Sequence, residues 1–190
     1  MRKSKQETAL TRERIVKAAA SEFRQHGIVA TGLADLMSAA GLTHGGFYRH
    51  FDSKDQLVAE ASATALATTT GQAAAVASRQ PGQKGLKAVV CGYLSTAHRD
   101  NWREGCALAA LGSELARADT ETRNTATTAF LKLVDILAGQ IDEAKPEEAK
   151  KRATVAVSTM IGALTMSRIV TDKRLSQSLL RNAQEALTGS

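Results

Sequence analysis

The sequence predicts an all-α fold: an N-terminal three-helix head with a helix-turn-helix, followed by a C-terminal helical bundle. The 190 residues contain only two prolines and are rich in Ala, Leu, Thr, Lys and Glu, which favours helices. No run of alternating apolar and polar residues is long enough to predict a sheet. The apolar fraction of 43% is that of an ordinary globular chain. We therefore expect a head over residues 1–52 and a body over residues 53–190.

The first two helices of the head follow from apolar spacing and one glycine. We expect a helix over Leu10–Phe23 and a second, short helix over Leu33–Ala40. The apolar residues of the short helix share the spacing of one helical face: Leu33, Leu36, Met37 and Ala40. Thr31 is placed to cap this helix through its hydroxyl. Gly41 is placed to end it, because glycine enters the left-handed conformation without a steric penalty.

A further helix after Gly41 completes a helix-turn-helix, the unit with which many proteins enter the major groove. Thr43 can cap this helix, which runs through Phe47 to Phe51. The two phenylalanines lie four residues apart, so we expect them to pack on the first helix as the core of the head. Gly45 and Gly46 each cost about 1 kcal/mol of helix stability relative to Ala. Close approach of the backbone to another molecule would explain both glycines.

Polar side chains gather around this helix and indicate a nucleic-acid partner. Donors suited to phosphate oxygens lie at its end: Tyr48, Arg49, His50 and Lys54. Groups placed to meet base edges lie at its start: Thr43, His44, Gly45 and Gly46. For Tyr48 and His50, the alternative is an exposed turn without a special role. For Lys54, the alternative is a solvated lysine in the first turn of the next helix. The second alternative arises because Ser53 and Gln56 form a capping box that opens the next helix.

Three segments of the head resemble the N-terminal signature of the TetR family of transcriptional regulators. They are Ala-Thr-Gly-Leu-Ala-Asp-Leu (30–36), Ala-Ala-Gly-Leu-Thr-His-Gly-Gly-Phe-Tyr-Arg-His-Phe (39–51) and Asp-Ser-Lys-Asp-Gln-Leu (52–57). The resemblance covers roughly residues 10–60 and adds Thr31 and Gly32 to the DNA-facing residues. The family usually has a hydroxyl residue at the position of Gly46, and often at that of Gly32. This chain therefore lacks the polar contacts that those two hydroxyls would make.

The charge distribution agrees with a polyanionic partner for the head. The net charge is +6. Residues 1–54 carry nine Lys and Arg against five Asp and Glu, whereas the rest of the chain carries sixteen against fourteen. Basic character concentrated in one region is the electrostatic footprint of nucleic-acid binding. The N-terminal Arg2, Lys3 and Lys5 either contact the DNA backbone or minor groove, or serve only as a solubilising tail.

The body divides into helices at its prolines, glycines and capping residues. Pro81 and Gly82 separate two helices, and Pro146 suits the first position of another. The Ala- and Thr-rich tract 61–77 lies in a helix that connects head and body. The predicted body helices are Ser53–Ser78, Lys84–Ala97, Trp102–Ala116, Thr120–Ala144, Pro146–Thr171 and Lys173–Leu187.

Two apolar stripes on the last two helices predict a homodimer interface. The stripe on the first of these helices holds Val157, Met160, Ile161 and Leu164, and the stripe on the second holds Leu175, Leu179 and Ala183. The alternative is that each stripe seals the body's own core. The resemblance to TetR regulators implies a four-helix interface between two subunits. Two heads on a two-fold axis would contact half-sites roughly 34 to 36 Å apart.

The resemblance also implies a cavity in the body for a small-molecule effector. The helices that would surround it carry Tyr93, Trp102, Cys106, Phe130 and Leu133. The alternative is that these residues form an ordinary core. Cys91 and Cys106 lie in separate predicted helices, which excludes a sequence-local redox pair. Cys106 stays open as a buried inert cysteine, a ligand contact or a sensor thiol.

The sequence does not indicate an enzyme. The four histidines form no metal-ligand spacing with cysteines or carboxylates, and no nucleophile elbow, phosphate-binding loop or dinucleotide fingerprint is present. We expect no metal and no cofactor. No apolar run approaches the 18 or so residues of a membrane span, so we expect a cytoplasmic protein without a membrane partner.

These observations predict a dimeric, sequence-specific transcriptional regulator. Its partners would be a double-stranded DNA operator and a small-molecule effector that releases it from repression. The alternative from another class is a helical binding or scaffold protein with a degenerate head. Binding to the DNA upstream of its own or neighbouring genes, with affinity that falls steeply as salt rises, would distinguish the two.

Overall fold

A computed structural model describes residues 5–189, which fold into nine α-helices and one 3-10 helix, without a strand in this range. The predicted all-α class is therefore confirmed. The head holds α1 (Lys5–His26), α2 (Leu33–Ala39) and the 3-10 helix (His44–Arg49). The remaining helices are α3 (Lys54–Ala77), α4 (Gln83–Tyr93), α5 (Thr96–Asp100), α6 (Ala107–Leu115), α7 (Thr120–Ala138), α8 (Pro146–Ile169) and α9 (Lys173–Thr188). Arg2 and Lys3 lie outside the described residues.

The head is organised around a small aromatic and aliphatic core. Phe47 and Phe51 are buried, as predicted, and their rings stack with centroids 5.5 Å apart. They pack with apolar side chains from α1, α2 and the start of α3: Ile15, Ala19, Phe23, Leu36, Met37 and Leu57. This packing fixes the 3-10 helix against α1, because each ring is fully removed from water.

Turn chemistry sets the ends of α2 and α3 largely as predicted. Gly41 follows α2 with a φ of +66°, the left-handed conformation that favours glycine. Ser53 caps α3 by accepting from the Gln56 amide at 3.1 Å. The Gln56 side chain accepts in return from the Asp52 amide at 2.8 Å, one residue earlier than in the standard capping box. The junction between head and α3 is thus held by side chains from both sides.

A second core fills the body, and the head core continues into it. The body core is formed mainly by α4, α7, α8 and α9, with Ala77 of α3, Ala109 of α6, and Leu94 and Cys106 from the connecting segments. On the head side, α3 contributes Ala61 and Ala65 while α6 contributes Ala107 and Leu111. Helices α3 and α6 therefore join head and body through buried side chains. Within residues 5–189 no helix combines the length and apolar character needed to cross a bilayer.

The structure corrects several predicted helix ends in the body. The predicted helix Lys84–Ala97 is divided, because Ser95 accepts from the His98 amide and starts a new short helix. Helix α6 begins at Ala107 rather than at Trp102. The Cys106 amide donates to the ring of His98 instead of continuing a helix that starts at Trp102. Helix α7 ends at Ala138, before Gly139, rather than at residue 144.

Two aromatic neighbours in the 3-10 helix give a matched test of this packing. Phe47→Ala removes a fully buried ring and should lower the free energy of unfolding by about 3 to 5 kcal/mol. Tyr48→Ala should change it by less than about 1 kcal/mol, because that side chain is 69% exposed. Urea denaturation followed by circular dichroism measures both. Equal effects of the two substitutions would contradict the proposed core.

Candidate nucleic-acid interface

The 3-10 helix presents one buried side chain and a row of exposed ones. Phe47 anchors it, while Thr43, His44, Tyr48 and Arg49 are exposed. Bonds from the Gly46 amide to the Thr43 carbonyl and from the His50 amide to the Phe47 carbonyl, at 3.0 and 2.9 Å, give the tighter three-residue winding. We predicted an α-helix through Phe51; weak helicity at the two glycines accounts for the shorter element.

The exposed groups on this helix are available to a partner. Across residues 5–189 no hydrogen bond or ion pair occupies the side chains of His44, Tyr48 and Arg49; Tyr48 touches Phe47 only through its ring edge. A cation, an imidazole and a phenol thus face outward together. These are groups that donate to phosphate oxygens and base edges.

The two glycines are open to the outside rather than required by the fold. An added Cβ at Gly45 would meet no heavy atom within 4 Å, and one at Gly46 would make an ordinary 3.5 Å contact with Met37. Internal packing therefore does not demand glycine at either position. Close approach of a partner to the backbone at these two glycines stays a prediction.

Two residues predicted to face DNA make hydrogen bonds inside the head: Thr31 is buried, and Lys54 binds backbone carbonyls. Thr31 is 3% exposed and its hydroxyl donates to the Gly27 carbonyl, so it neither caps α2 nor faces outward. The N-cap of α2 is Gly32, an exposed residue whose amide donates to Asp35. Lys54 donates to the carbonyls of Thr31 at 2.7 Å and Ile28 at 3.3 Å. Its predicted phosphate contact stays a prediction, as does that of the half-buried His50.

Arg12 stabilises the end of the 3-10 helix, a role that the sequence does not predict. Its guanidinium lies over the ring of Phe51, 4.5 Å from the centroid, and forms a two-pronged ion pair with Glu60. Its Nε also donates to the His50 carbonyl at 3.1 Å. The Glu60 side chain raises the pKa of Arg12, and burial opposes this. No local signal could have revealed a pair that lies 48 residues apart in the chain.

The body contains a cavity of about 330 Å³ between α3, α4 and α5. Its wall is apolar along Ala73, Val76 and Val89, and polar where Thr69 and His98 face it. The complete lining is Thr69, Gln72, Ala73, Val76, Ala88, Val89, Gly92, Tyr93, Ala97, His98, Asn101 and Glu104. Its size suits a small, mostly apolar molecule with a few polar groups.

His98 is held in one tautomer at the end of this cavity. Its Nδ1 lies 2.6 Å from the Tyr93 carbonyl, which can only accept, so Nδ1 carries the hydrogen. Its Nε2 accepts from the Cys106 amide at 3.0 Å. Burial lowers the pKa of His98, the bond to Tyr93 opposes this, and Arg168 lowers it further. The ring is therefore neutral and links two loops of the body.

Comparison with known proteins agrees with this architecture at both ends of the chain. Residues 15–61 match the family described as "Bacterial regulatory proteins, tetR family". Residues 83–185, more than half of the chain, match "Transcriptional regulator LmrA/YxaF-like, C-terminal domain". The chain belongs to the TetR family. Its N-terminal head matches the family's helix-turn-helix domain, and its helical body matches the C-terminal domain of a transcriptional regulator.

Individual TetR relatives resemble the chain over different lengths. A probable acrEF/envCD operon repressor of Escherichia coli K12 is 39% identical over 59 residues, which span 31% of this chain and 27% of the repressor. An HTH-type transcriptional regulator of Mycobacterium tuberculosis is 28% identical over 169 residues, spanning 85% and 86% of the two chains. The chain thus spans only about a quarter of the length of the first relative.

Solved TetR structures match nearly the whole chain. A TetR regulator from Chloroflexus aurantiacus is 25% identical, with a TM-score of 0.80 over 97% of this chain and 95% of that one. Reduced NemR of E. coli is 18% identical, with a TM-score of 0.75 over 94% of this chain and 95% of NemR. At this identity the similarity supports a common fold and nothing more. The described residues therefore have the two-part architecture of this fold.

The residues predicted to bind a TetR effector lie in different places. Tyr93 lines the 330 Å³ cavity. Trp102 lines a separate, more polar cavity of about 470 Å³, where Arg168 stacks over its ring at 4.3 Å. Cys106 and Leu133 are buried in the body core and Phe130 packs against it, which matches the alternative of ordinary core residues. Burial raises the pKa of the Cys106 thiol, and both cysteines are free.

The predicted TetR dimer stripes turn out to be partly internal. Val157, Met160, Leu164 and Ala183 are buried in the chain's own core, as the alternative allowed. Side chains with this burial cannot also meet a partner. Of the other predicted positions, Ile161 and Leu179 are half-buried and Leu175 is 48% exposed. The outward face of α8 instead carries Val155, Met166 and Ile169, which the stripe analysis missed because it followed the inward face.

The described residues contain no group of three or more His, Cys, Asp or Glu side chains that could hold a metal ion. His26 lies beside Glu22 on α1. The ring nitrogens of His98 contact backbone groups, and its ring meets the Tyr93 ring edge-on with centroids 4.7 Å apart.

The position of His98 predicts a pH dependence of stability. On unfolding, its pKa returns from a lowered value to the ordinary 6.5, so the unfolded chain takes up a proton more readily. The stability that neutral His98 contributes is complete above pH 6.5 and is lost as the pH falls towards the folded pKa. Urea unfolding at pH 7.5, 6.5 and 5.5 should show a smaller loss for His98→Gln than for the unmodified chain. Equal slopes would refute this assignment.

Proposed function

We propose that this protein is a dimeric repressor that binds a specific DNA operator and leaves it when a small molecule enters the body. The observation that carries the proposal is the row of outward, unpaired side chains of His44, Tyr48 and Arg49 on a 3-10 helix anchored by Phe47. A DNA-binding head over residues 1–52 and a ligand-binding and dimerising body over residues 53–190 divide these tasks.

The exposed residues of the head would divide between positioning and base recognition. Tyr48 and Arg49 donate to phosphate oxygens on either side of the major groove, which fixes the head on the duplex. Thr43 and His44 lie at the start of the 3-10 helix and meet base edges, and Gly45 lets the backbone come close. His50 and Lys54 hold the structure behind this surface and add contacts where their remaining donors reach the backbone.

We place the homodimer interface on the outward face of α8 and α9. Exposed apolar side chains cluster there, with the small Gly162 between them: Val155, Met166, Ile169 and Leu175. Such a face on a chain with its own complete core is typical of a subunit contact. Two copies related by a two-fold axis would bury these side chains in a four-helix arrangement and set the two heads on one DNA face.

The effector would occupy the 330 Å³ cavity, where apolar walls and a few polar groups converge. A ligand that prefers one body conformation and DNA that prefers another must weaken each other's binding. Names of relatives support the repressor role, since the E. coli relative is a probable operon repressor. The regulator would act in the cytoplasm, where its operator lies.

A pair of head substitutions tests the DNA-binding surface. Arg49→Ala should weaken binding to the DNA upstream of the protein's own gene about tenfold, and should lower the slope of log affinity against log salt by about 1. His44→Ala should instead reduce the preference for this DNA over a scrambled duplex. Fluorescence anisotropy from 50 to 300 mM salt measures both. Arg79→Ala, at an exposed arginine in the turn after α3, is the control and should change neither quantity.

If the unmodified protein binds all duplexes with an affinity that does not change with salt concentration, the proposed phosphate contacts do not exist. If Arg49→Ala and Arg79→Ala behave alike, the surface has been placed on the wrong side of the head.

The dimer proposal is tested at Ile169, which is 63% exposed. Ile169→Glu places a charge in the proposed apolar interface and should shift the protein from a dimer to the 20.1 kDa chain. Sedimentation equilibrium reports the mass directly. Leu131→Glu, at an exposed apolar position on α7, is the matched control and should leave the dimer intact. If Ile169→Glu remains a dimer, the interface lies on another part of the surface.

A further inference from the structure

The second cavity of the body, of about 470 Å³, lies where α5, the end of α8 and the start of α9 meet. Three basic side chains line it, Arg99, Arg168 and Lys173, against one acidic side chain, Asp100. The described residues that line this cavity and those that line the proposed effector cavity do not overlap. Its volume falls within the range of about 300 to 1,000 Å³ that is typical of small-molecule sites. The cavity is therefore a separate candidate site with a positive wall.

The one carboxylate of this wall is already paired. Arg99 Nε and Nη2 donate to the two carboxylate oxygens of Asp100 at 2.7 and 3.0 Å. The bond to Arg99 lowers the pKa of Asp100, so that this carboxylate is ionised at neutral pH. Arg99 Nη1 donates to the Ser176 hydroxyl at 3.0 Å and so ties α5 to α9. Arg99 and Asp100 thus balance each other, and two cations of the wall are left over.

The first of these cations, Arg168, is half-buried and contacts carbonyls rather than a carboxylate. Its Nε and Nη2 donate to the carbonyls of Arg99 and His98 at 2.9 and 3.1 Å. Its Nη1 is buried and has no hydrogen-bond partner among residues 5–189, where Arg168 also forms no ion pair. Burial lowers the pKa of the Arg168 guanidinium, and neighbouring groups offset this only in part. A cation partly removed from water in this way favours a negative charge nearby.

The second cation, Lys173, is exposed and free to meet a ligand. Across the described part of the chain its ammonium group forms no hydrogen bond or ion pair. The neighbouring Asp172 does not line the cavity; its carboxylate caps α9 by accepting from the Leu175 amide at 2.7 Å. Lys173 can therefore turn towards an anion in the cavity without breaking an existing bond, as its flexible stem allows.

Trp102 gives the same cavity an aromatic surface. The Arg168 guanidinium covers the ring at 4.3 Å from the centroid, yet Trp102 is still 39% exposed. Val170 and Thr171 add smaller apolar groups to the wall. A flat ring packs well against exposed aromatic surface. Cations beside an aromatic ring therefore favour an organic anion with a flat apolar part over a hydrated inorganic ion.

We propose that this second cavity binds a small aromatic carboxylate, whose ring packs against Trp102 and whose carboxylate pairs with Lys173 in the positive field of Arg168. The ligand supplies the negative charge that the wall lacks. A cationic ligand would add to a charge already in excess, and a neutral one would leave it unchanged. The site does not depend on the proposed effector cavity or on the proposed DNA contacts.

Calorimetric titration of the full chain with 2-naphthoate tests the ligand class. We expect saturable binding of one molecule per chain, at least about tenfold tighter than that of 2-naphthalenemethanol, the neutral analogue of similar shape. No saturable binding up to about 1 mM would overturn the proposal. Equal affinities for the acid and the alcohol would overturn it as well, because the wall would then make no use of its charge.

Two neighbouring residues of α9 give a matched test of the site. Lys173→Gln and Arg174→Gln each remove one positive charge from an exposed side chain, but only Lys173 lines the cavity. Lys173→Gln should weaken 2-naphthoate binding at least about fivefold, and Arg174→Gln less than about twofold. Circular dichroism melts verify that both variants fold. Equal losses would show that 2-naphthoate responds to the general charge of α9, and the proposed site would be wrong.

Trp102 also reports where the ligand lies. It is the one tryptophan of the sequence, so its indole N–H gives a single resonance in a ¹⁵N–¹H correlation spectrum. This resonance should shift in step with the calorimetric saturation, because the naphthalene ring lies against the indole. In Lys173→Gln the same shift should require a higher concentration of 2-naphthoate. Calorimetric binding without a shift of this resonance would place the ligand elsewhere and overturn the proposal.

Discussion

Burial of Phe47 and Phe51 against α1 is the packing on which the DNA-facing surface depends. A 3-10 helix of six residues has little stability of its own, since its hydrogen bonds are poorly aligned and two of its residues are glycines. The stacked rings of Phe47 and Phe51 hold the 3-10 helix in place. The Arg12 guanidinium lies over the Phe51 ring and donates to the His50 carbonyl. With one face fixed in this way, Tyr48 and Arg49 are left on the exposed side of the helix. The geometry of the exposed row is thus a consequence of the core.

Head and body are continuous rather than loosely tethered. Helix α3 runs unbroken from the capping serine at residue 53 into the body, and α6 returns from the body to the loop between α1 and α2. Small side chains along α3, such as Ala61 and Ala65, let α1 approach closely and give a shared core. Body and head are therefore joined in two ways, by shared packing and by the Glu114 carboxylate, which accepts from the Ile28 and Val29 amides.

Features that depend on neighbouring residues, such as helix ends and the short helix α2, could be predicted from the sequence. Gly41, Ser53 and the spacing from Leu33 to Ala40 set helix ends and one helix within the chain itself, and the structure confirms them. The cap at Thr31 was wrong because its hydroxyl finds the Gly27 carbonyl in a folded loop.

Features that depend on residues far apart in the chain could not be predicted in the same way. The start of α6 depends on His98, and the anchoring of the head depends on Glu114 and Arg12, whose partners lie many residues away. Four of the predicted dimer positions, Val157, Met160, Leu164 and Ala183, are buried in the chain's own core for a related reason. Periodicity identifies an apolar face of α8 but does not tell which neighbour covers it.

Protection of guanine N7 from methylation on a selected operator tests the central claim most directly, because N7 lies in the major groove. Insertion of two heads predicts two protected clusters on one face of the duplex, with centres one helical turn of about 10 base pairs, or a whole number of turns, apart. Protection confined to the minor groove, or a single cluster for each bound dimer, would contradict the account.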